Sequence, residues 1–282
     1  MIFITDETIE RFIKEDIPYI DLTSLVLNIA GKKGKMEYIC REEAVICGTE
    51  EVLKVFRQLN IIPLEYLPSG TAVKPQSIII GAEGNAEDLH MAWKVSLNIL
   101  EYTSGIATRT RRMVEKAREV NPNIEVTATR KVFPGTKEMS TKAVIAGGGL
   151  PHRLGLSETI LIFDQHLEFL GGLDGLLGRL KDIKLRSREK KVFIEVKTIN
   201  EAVKVCQAGA DGVQFDKISP RELSRAVEII RGIDAGITIL AAGGINESNV
   251  QSYALTGVDV IVTSAVYFGR PVDMGVKMSA LS

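Results

Sequence analysis

The sequence predicts an α/β protein. The first hundred residues, of mixed helices and short strands, precede a regular array of parallel β/α units. Three observations lead there. From Ser104 onward, short apolar runs alternate with helical stretches. The runs lack polar–apolar alternation, as parallel strands covered on both faces do. Finally, run after run ends in polar or glycine-rich residues, where a parallel barrel carries its site. Repeated β-then-α units allow a barrel or a doubly wound sheet. Six strands are countable, short of the eight of a full barrel.

The elements follow in order. "TIERFIKED" reads as a helix; "MEYICREEAVICG" and "IIPLEYL" read as strands, and "AVKPQSIIIGAEG" as a turn entering another strand. In "GNAEDLHMAWKVSLNILEY", Asn85 is a helix cap, with Glu87 and Asp88 in the first turn. Leu89, Trp93, Leu97 and Leu100 then fall on one apolar face, which leaves His90 on the exposed side. "SGIATRTRRMVEKAREVN" is helical to Asn121–Pro122, with a domain boundary near residues 103–106. The six barrel strands are "IEVTATR", "TILIFD", "KVFIEV", "GVQFD", "GITILAA" and "VDVIVT". Between them, "TINEAVKVCQAGA", "SPRELSRAVEIIRG" and "NESNVQSYALTG" are helical. The expected domains are residues 1–105, a barrel over 106–268 and a tail over 269–282.

Bulk properties exclude several classes. Over 282 residues, a hydrophobic fraction of 45% and a net charge of −1 describe a globular chain without a field for nucleic acid or an anionic membrane. No apolar run reaches the ~20 residues of a membrane span. The start, "MIFITDETIERFIKED", is charged too early for a signal peptide. Cys40, Cys47 and Cys206 are odd in number and widely spaced, so buried thiols in a reducing cytoplasm are expected.

The polar strand ends define the candidate site. The first strand ends in Thr129, Arg130 and Lys131, and the second in Asp164 and His166. The third carries Glu195 and runs into Lys197, and the fourth ends at Asp216. "AAGGINESN" sets Gly243 and Gly244 between a strand and a helix start near Asn246. Glycine lets backbone N–H groups approach an anion, and a helix N-terminus favours negative charge. "VTSA" adds the Ser264 hydroxyl, and paired loops after the last two strands are the phosphate site of many barrel enzymes. Arg130, Lys131, His152 and Arg153 offer groups for further anions, arginine as a bidentate fork and lysine as a point charge. Glu195 and Asp216 can bind sugar hydroxyls or a magnesium ion.

The motifs "NILEYTSGIATRTRR", "TATRKVFPG", "GGGLPHRLGLSETILIFDQH", "AAGGINESNVQSYALTGVD" and "EDIPYIDLTS" resemble the quinolinate phosphoribosyltransferase family, nearly end to end. "QFDKISP" and "VTSAVYFGRPVD" look like its ModD-like branch, which is associated with molybdenum-transport genes. The resemblance implies an N-terminal open α/β sandwich, an incomplete six-stranded parallel α/β barrel of the TIM type, a tail returning to the N-terminal domain from about Gly269, and a homodimer with sites shared between subunits. It implies transfer of phosphoribose from phosphoribosyl pyrophosphate, with Mg2+, to quinolinate, giving nicotinate mononucleotide, carbon dioxide and pyrophosphate. Thr129, Arg130, Lys131, His152 and Arg153 match substrate contacts. Asp216 matches the ribose and metal-side acid, and Ala242, Gly243, Gly244, Thr263, Ser264 and Ala265 match the phosphate loops.

Three positions depart from the pattern. Lys94 stands for an arginine, Phe163 for the lysine of "LIKDNH", and Lys197 for the second glutamate of "EVEV". Losing a cation from the acceptor pocket costs quinolinate about 2–3 kcal/mol, or roughly 30- to 200-fold in affinity. The expected acceptor is therefore a heteroaromatic acid other than quinolinate. One alternative is weak or normal quinolinate activity retained through Arg130, Lys131 and Arg153; another is a non-catalytic oxyanion binder serving molybdate transport.

Overall fold

A computed structural model describes residues 2–281. In chain order the elements begin with α1 (Asp6–Asp16), α2 (Leu22–Val26), β1 (Lys33–Cys40), β2 (Ala44–Val45) and α3 (Thr49–Gln58). They continue with β3 (Ile62–Tyr66), β4 (Ala72–Val73), β5 (Ser77–Asn85), α4 (Ala86–Val120), β6 (Glu125–Ala128), α5 (Lys137–Ala146), β7 (Leu150–Pro151) and β8 (Ile160–Ile162). Then come α6 (Asp164–Leu167), α7 (Gly172–Leu177), α8 (Leu180–Arg186), β9 (Val192–Val196), α9 (Ile199–Gln207) and β10 (Gly212–Asp216). The chain closes with α10 (Pro220–Ile233), β11 (Thr238–Ala242), α11 (Val250–Ala254), β12 (Val260–Thr263) and β13 (Met274–Ala280). Two compact units result. One takes residues up to Arg111, Phe133–Gly148 and the chain from Tyr267; the other takes Arg112–Val132 and Gly149–Val266.

The first unit is built on a four-stranded antiparallel sheet in the order β13-β1-β5-β3. Alternation along β1 buries Met36, Tyr38 and Cys40 on one face. That face meets Phe56 of α3, Ile79 and Ile80 of β5, and Leu89 and Leu100 of α4 in one apolar core. The apolar stripe expected on α4 is that core contact. His90 is half-buried rather than exposed, because its Nδ1 lies 3.3 Å from the buried Ser24 hydroxyl. The Asn85 side-chain amide donates to Asp88 Oδ2 at 2.9 Å.

Helix α4 passes through residues 103–106 without a break. The Thr103 and Ser104 hydroxyls are satisfied without interrupting it. Thr103 Oγ1 donates to the carbonyls of Ile99 (2.6 Å) and Cys47 (2.7 Å), and Ser104 Oγ accepts from the Cys47 N–H at 2.9 Å.

The second unit is a curled parallel sheet of seven strands in the order β7-β6-β12-β11-β10-β9-β8. Six are the predicted runs. The seventh, β7, is a two-residue strand inside "GGGLPHR"; with a proline and no apolar run, it carries no strand signal. Capping fixes the covering helices. Thr198 and Glu201 cap α9 reciprocally, and Ser219 caps α10, which starts with Pro220. Inside the sheet, Phe193, Leu240, Ala242, Val260 and Val262 pack together. Gly212 makes room for them, since a Cβ there would lie 2.3 Å from the Phe193 ring and 2.8 Å from the Thr238 carbonyl. Gly212→Ala is expected to destabilise the protein by about 1–3 kcal/mol, because the carbonyl cannot yield. A shift of the denaturant midpoint at unchanged slope reads this, and an unchanged midpoint refutes it.

Candidate active site

The cationic side of the barrel mouth is built at the tips of β6 and β7. The Thr129 N–H continues the ladder to the Thr263 carbonyl (2.9 Å), and Thr129 Oγ1 accepts from the Lys131 N–H (3.2 Å). Arg130 and Lys131 extend from this turn, exposed. One strand over, the His152 N–H bonds the Ala128 carbonyl at 2.9 Å. The His152 Nε2 is buried and makes no hydrogen bond among the described residues. Burial, then the neighbouring Arg153, push its pKa down to about 4, so it is a neutral imidazole near pH 7. Arg153 is only 9% exposed, and burial together with Arg130 draws its pKa down.

Arg153 also links the two edges of the sheet. Its guanidinium carbon lies 5.7 Å from the centroid of the Phe163 ring, at the tip of β8. Edge strands β7 and β8 share no ladder, yet their tips meet through this cation–π contact. Phe163 stacks in turn on His166 (5.9 Å, 21°), and its N–H donates to His166 Nδ1 at 3.0 Å. The His166 ring proton therefore sits on Nε2.

The acidic side lies at β9 and β10. Glu195 and Gln214 pair across the ladder and point to the same face. The Gln214 amide donates to Glu195 Oε2 at 2.8 Å. Burial, with help from Asp216 and Asp164, still raises the Glu195 pKa. Lys197 leaves the end of β9 and its ammonium hydrogen-bonds Asp164. Asp216 ends β10, 3.7 Å from the Lys217 ammonium. Lys217 has a left-handed backbone, φ +59°.

The glycine loop follows β11. Gly243 and Gly244 both have positive φ, +88° and +75°. At Gly243 a Cβ would sit 2.5 Å from Asp216 Oδ1 and 2.7 Å from the Lys217 nitrogen. The helix expected near Asn246 starts only at Val250 and has five residues. Side-chain oxygens cause the delay. Asn246 Oδ1 accepts from the Ser248 N–H, and Asn249 Oδ1 from the Asn246 N–H, making a turn instead. Both asparagine amides donate to the Gly244 carbonyl, at 3.2 and 3.1 Å. An anion here would meet glycine backbone, not a helix terminus. Ala242 is buried, and its carbonyl accepts from the Lys217 N–H. Thr263 is a buried strut: its hydroxyl donates to the Ile245 carbonyl (2.6 Å) and accepts from the Ala265 N–H (3.0 Å). Ser264 beside it is half-buried.

The second unit thus gathers Thr129, Arg130, Lys131, His152, Arg153, Phe163, Glu195, Lys197, Asp216 and the two loops at the carboxyl ends of its strands. Lys94 belongs to the first unit, exposed on α4, with its ammonium 4.9 Å from the Trp93 ring centroid. Sequence reasoning missed two residues. Gln214 was findable, since it lies two before Asp216 on the same strand face. Lys217 was not, because an Asp-Lys pair after a strand reads as ordinary surface.

Other signals agree with simple chemistry. The three cysteines are free and buried, and burial pushes the Cys47 thiol up to about 11. Among the described residues, no helix is long and apolar enough to cross a membrane.

Comparison with known proteins gives one answer. Residues 106–277 match "Quinolinate phosphoribosyl transferase, C-terminal domain", and residues 21–104 match the corresponding N-terminal domain. The chain is 33% identical over 276 residues to the "Putative pyrophosphorylase ModD" of Pasteurella multocida, covering 98% of both chains. It is also 33% identical over 281 residues to the "Probable nicotinate-nucleotide pyrophosphorylase [carboxylating]" of Methanothermobacter thermautotrophicus, covering 98% of this chain and 99% of that one. The nicotinate-nucleotide pyrophosphorylase structure from Francisella tularensis superposes with a TM-score of 0.88 at 26% identity, covering 99% of this chain and 98% of that one. The chain belongs to the quinolinate phosphoribosyl transferase family.

Proposed function

We propose that the protein is a phosphoribosyltransferase that moves phosphoribose from phosphoribosyl pyrophosphate to a quinolinate-like heteroaromatic acid. The observation that carries this is the split of charge around the barrel mouth. Cations gather at β6 and β7, carboxylates at β9 and β10, and a glycine loop stands beside them at β11. An acidic acceptor suits the first, a ribose the second and a phosphate the third.

In the reaction, the acceptor ring nitrogen bonds to C1 of the ribose. The bond from C1 to the diphosphate oxygen breaks, and diphosphate leaves with the electron pair. An acceptor with a carboxylate beside that nitrogen can then lose carbon dioxide, and the ring carbon takes up a proton. Arg130, Lys131 and Arg153 hold the acceptor carboxylate. His152, neutral above about pH 4, serves as a hydrogen-bonding group rather than a cation. Glu195 and Asp216 hold the ribose hydroxyls. Holding both reactants in line lowers the barrier.

Magnesium fits this donor set as an ion carried in by the diphosphate. Among the described residues there is no group of three or more His, Cys, Asp or Glu able to hold a metal, and the Asp216 and Asp164 carboxylates already face lysines. When bound, the ion neutralises diphosphate charge. The protein is also proposed to work in the cytoplasm as a homodimer with sites shared between subunits, to which Lys94 contributes.

Phe163 sets the acceptor. Where a cation would meet a second carboxylate, a phenyl ring carries Arg153 on its face. Quinolinate is therefore expected to be a poor acceptor. Phe163→Lys is expected to raise kcat/KM for quinolinate by roughly 30- to 200-fold, the worth of a charged hydrogen bond. Diphosphate release from phosphoribosyl pyrophosphate and magnesium, with and without quinolinate, measures both. Quinolinate turnover by the wild type at an ordinary enzymatic rate would sink the acceptor assignment. Stabilisation by molybdate but not by phosphoribosyl pyrophosphate would favour the oxyanion binder.

A further inference from the structure

We propose that Lys197 and Lys217, at the tips of β9 and β10, grip the donor's diphosphate directly and take over part of the charge neutralisation a divalent cation provides. The inference rests on the phosphoribosyltransferase reading and adds residues and a metal economy to it.

Backbone conformation gives the first observation. Asn28, Asn60, Gln76 and Lys217 are the non-glycine residues with positive φ among those described. Lys217 is the charged one, and it alone lies in the second unit. Asparagine tolerates the left-handed region, whereas a lysine there carries strain that something must justify. Packing does not, because the side chain is 77% exposed. The conformation does bring the side chain against the glycine loop. Its Cγ would stand 2.5 Å from a Cβ on Gly243, and its N–H holds the Ala242 carbonyl. The lysine thus rises beside the candidate phosphate loop.

Charge gives the second. Asp216 and Asp164 lie close enough to Glu195 to act on it, and the three carboxylates would repel a diphosphate. The ammonium of Lys197 bonds Asp164, and that of Lys217 lies 3.7 Å from Asp216. Each ammonium has three donors and here uses at most one on a carboxylate, leaving donors for phosphate oxygens. The diphosphate gains negative charge as its bond to ribose breaks, so such a grip tightens towards the transition state.

The test measures binding of inorganic pyrophosphate by calorimetry, in EDTA and in magnesium. The wild type should bind in EDTA within about tenfold of its affinity in magnesium. Lys197→Ala and Lys217→Asn should each weaken binding in EDTA about tenfold or more, and less in magnesium. Asparagine at 217 keeps a residue that tolerates the backbone, and Lys217→Arg, which keeps the charge, should retain affinity. Wild-type binding that needs magnesium by more than about a hundredfold overturns the proposal without recourse to any variant. Unchanged affinity in both variants overturns it too. In those cases magnesium-dependent binding of phosphoribosyl pyrophosphate leaves the parent reading standing. Failure of the wild type to bind either compound with magnesium would bring both down.

Discussion

Gly243→Ala is expected to cut phosphoribosyl pyrophosphate affinity by about 100-fold or more while leaving most of the fold intact. Two costs act together. At φ +88° an alanine is strained by about 1–2 kcal/mol. Its methyl group would also lie 2.5 Å from Asp216 Oδ1 and 2.7 Å from the Lys217 backbone nitrogen. Asp216 can swing away only by leaving the position proposed to hold the ribose, and the Lys217 nitrogen is tied to the Ala242 carbonyl. The loop or the carboxylate must move, and either change dismantles the proposed donor site. Gly244→Ala is the control: its φ is +75°, but nothing lies within 4 Å of an added Cβ. It should show the strain alone, a loss of about tenfold at most. Ligand-induced shifts in melting temperature measure both variants. Equal effects would mean that the close approach of Gly243 to Asp216 plays no part.

Lys142→Met is expected to destabilise the folded protein by about 3–5 kcal/mol, the cost of stranding buried charge. Lys142 on α5 is 6% exposed and pairs with Glu50 at 2.7 Å and with Glu51, itself 2% exposed. Glu50 also accepts from the Ser69 hydroxyl and N–H. Burial raises the Glu50 pKa, but the hydrogen bonds from Lys142 and Ser69 outweigh it and hold it at about 2. A depressed carboxyl pKa stabilises the fold above its unfolded value, near 4.5, and that contribution fades as the pH falls towards about 2. The wild type should therefore lose stability over that window. Lys142→Met, without the main group that lowers the pKa, should lose less, so the gap between the two narrows on acidification. Denaturant midpoints at pH 7 and pH 4 test this, and a gap that widens would refute it. Replacing the cluster together, as Lys142→Met with Glu50→Gln and Glu51→Gln, should recover part of the loss.

Much of this was legible in the chain. Strands β8 to β12 announce themselves because each is an apolar run between turn signals, and parallel burial needs such runs. Their polar ends point to the site because the chain leaves every parallel strand at the same face. Strand β7 stays hidden because two residues, one of them proline, give no period. The Lys142 cluster is equally hidden. "STKAV" looks like any helix with an outward lysine, and its carboxylate partners lie about ninety residues earlier. The Arg153–Phe163 contact joins strands with no hydrogen bond between them, so no local pattern reports it. Helix α4 runs through residues 103–106, where the family's N- and C-terminal domain matches meet.

One pairing in the first unit bears on how the chain reaches its native state. Strand β1, residues 33–40, lies inside its sheet only because β13, residues 274–280, comes back to flank it. During synthesis β1 emerges more than two hundred residues before its partner. At ordinary translation rates the interval is some tens of seconds. Throughout that time the nascent sheet has β1 as an open edge, with its N–H and C=O groups facing outward and free to pair with another chain. Losing the final strand, by truncation or a bulky C-terminal fusion, would make that transient edge permanent. Residues 274–280 thus act as the cover that closes this edge.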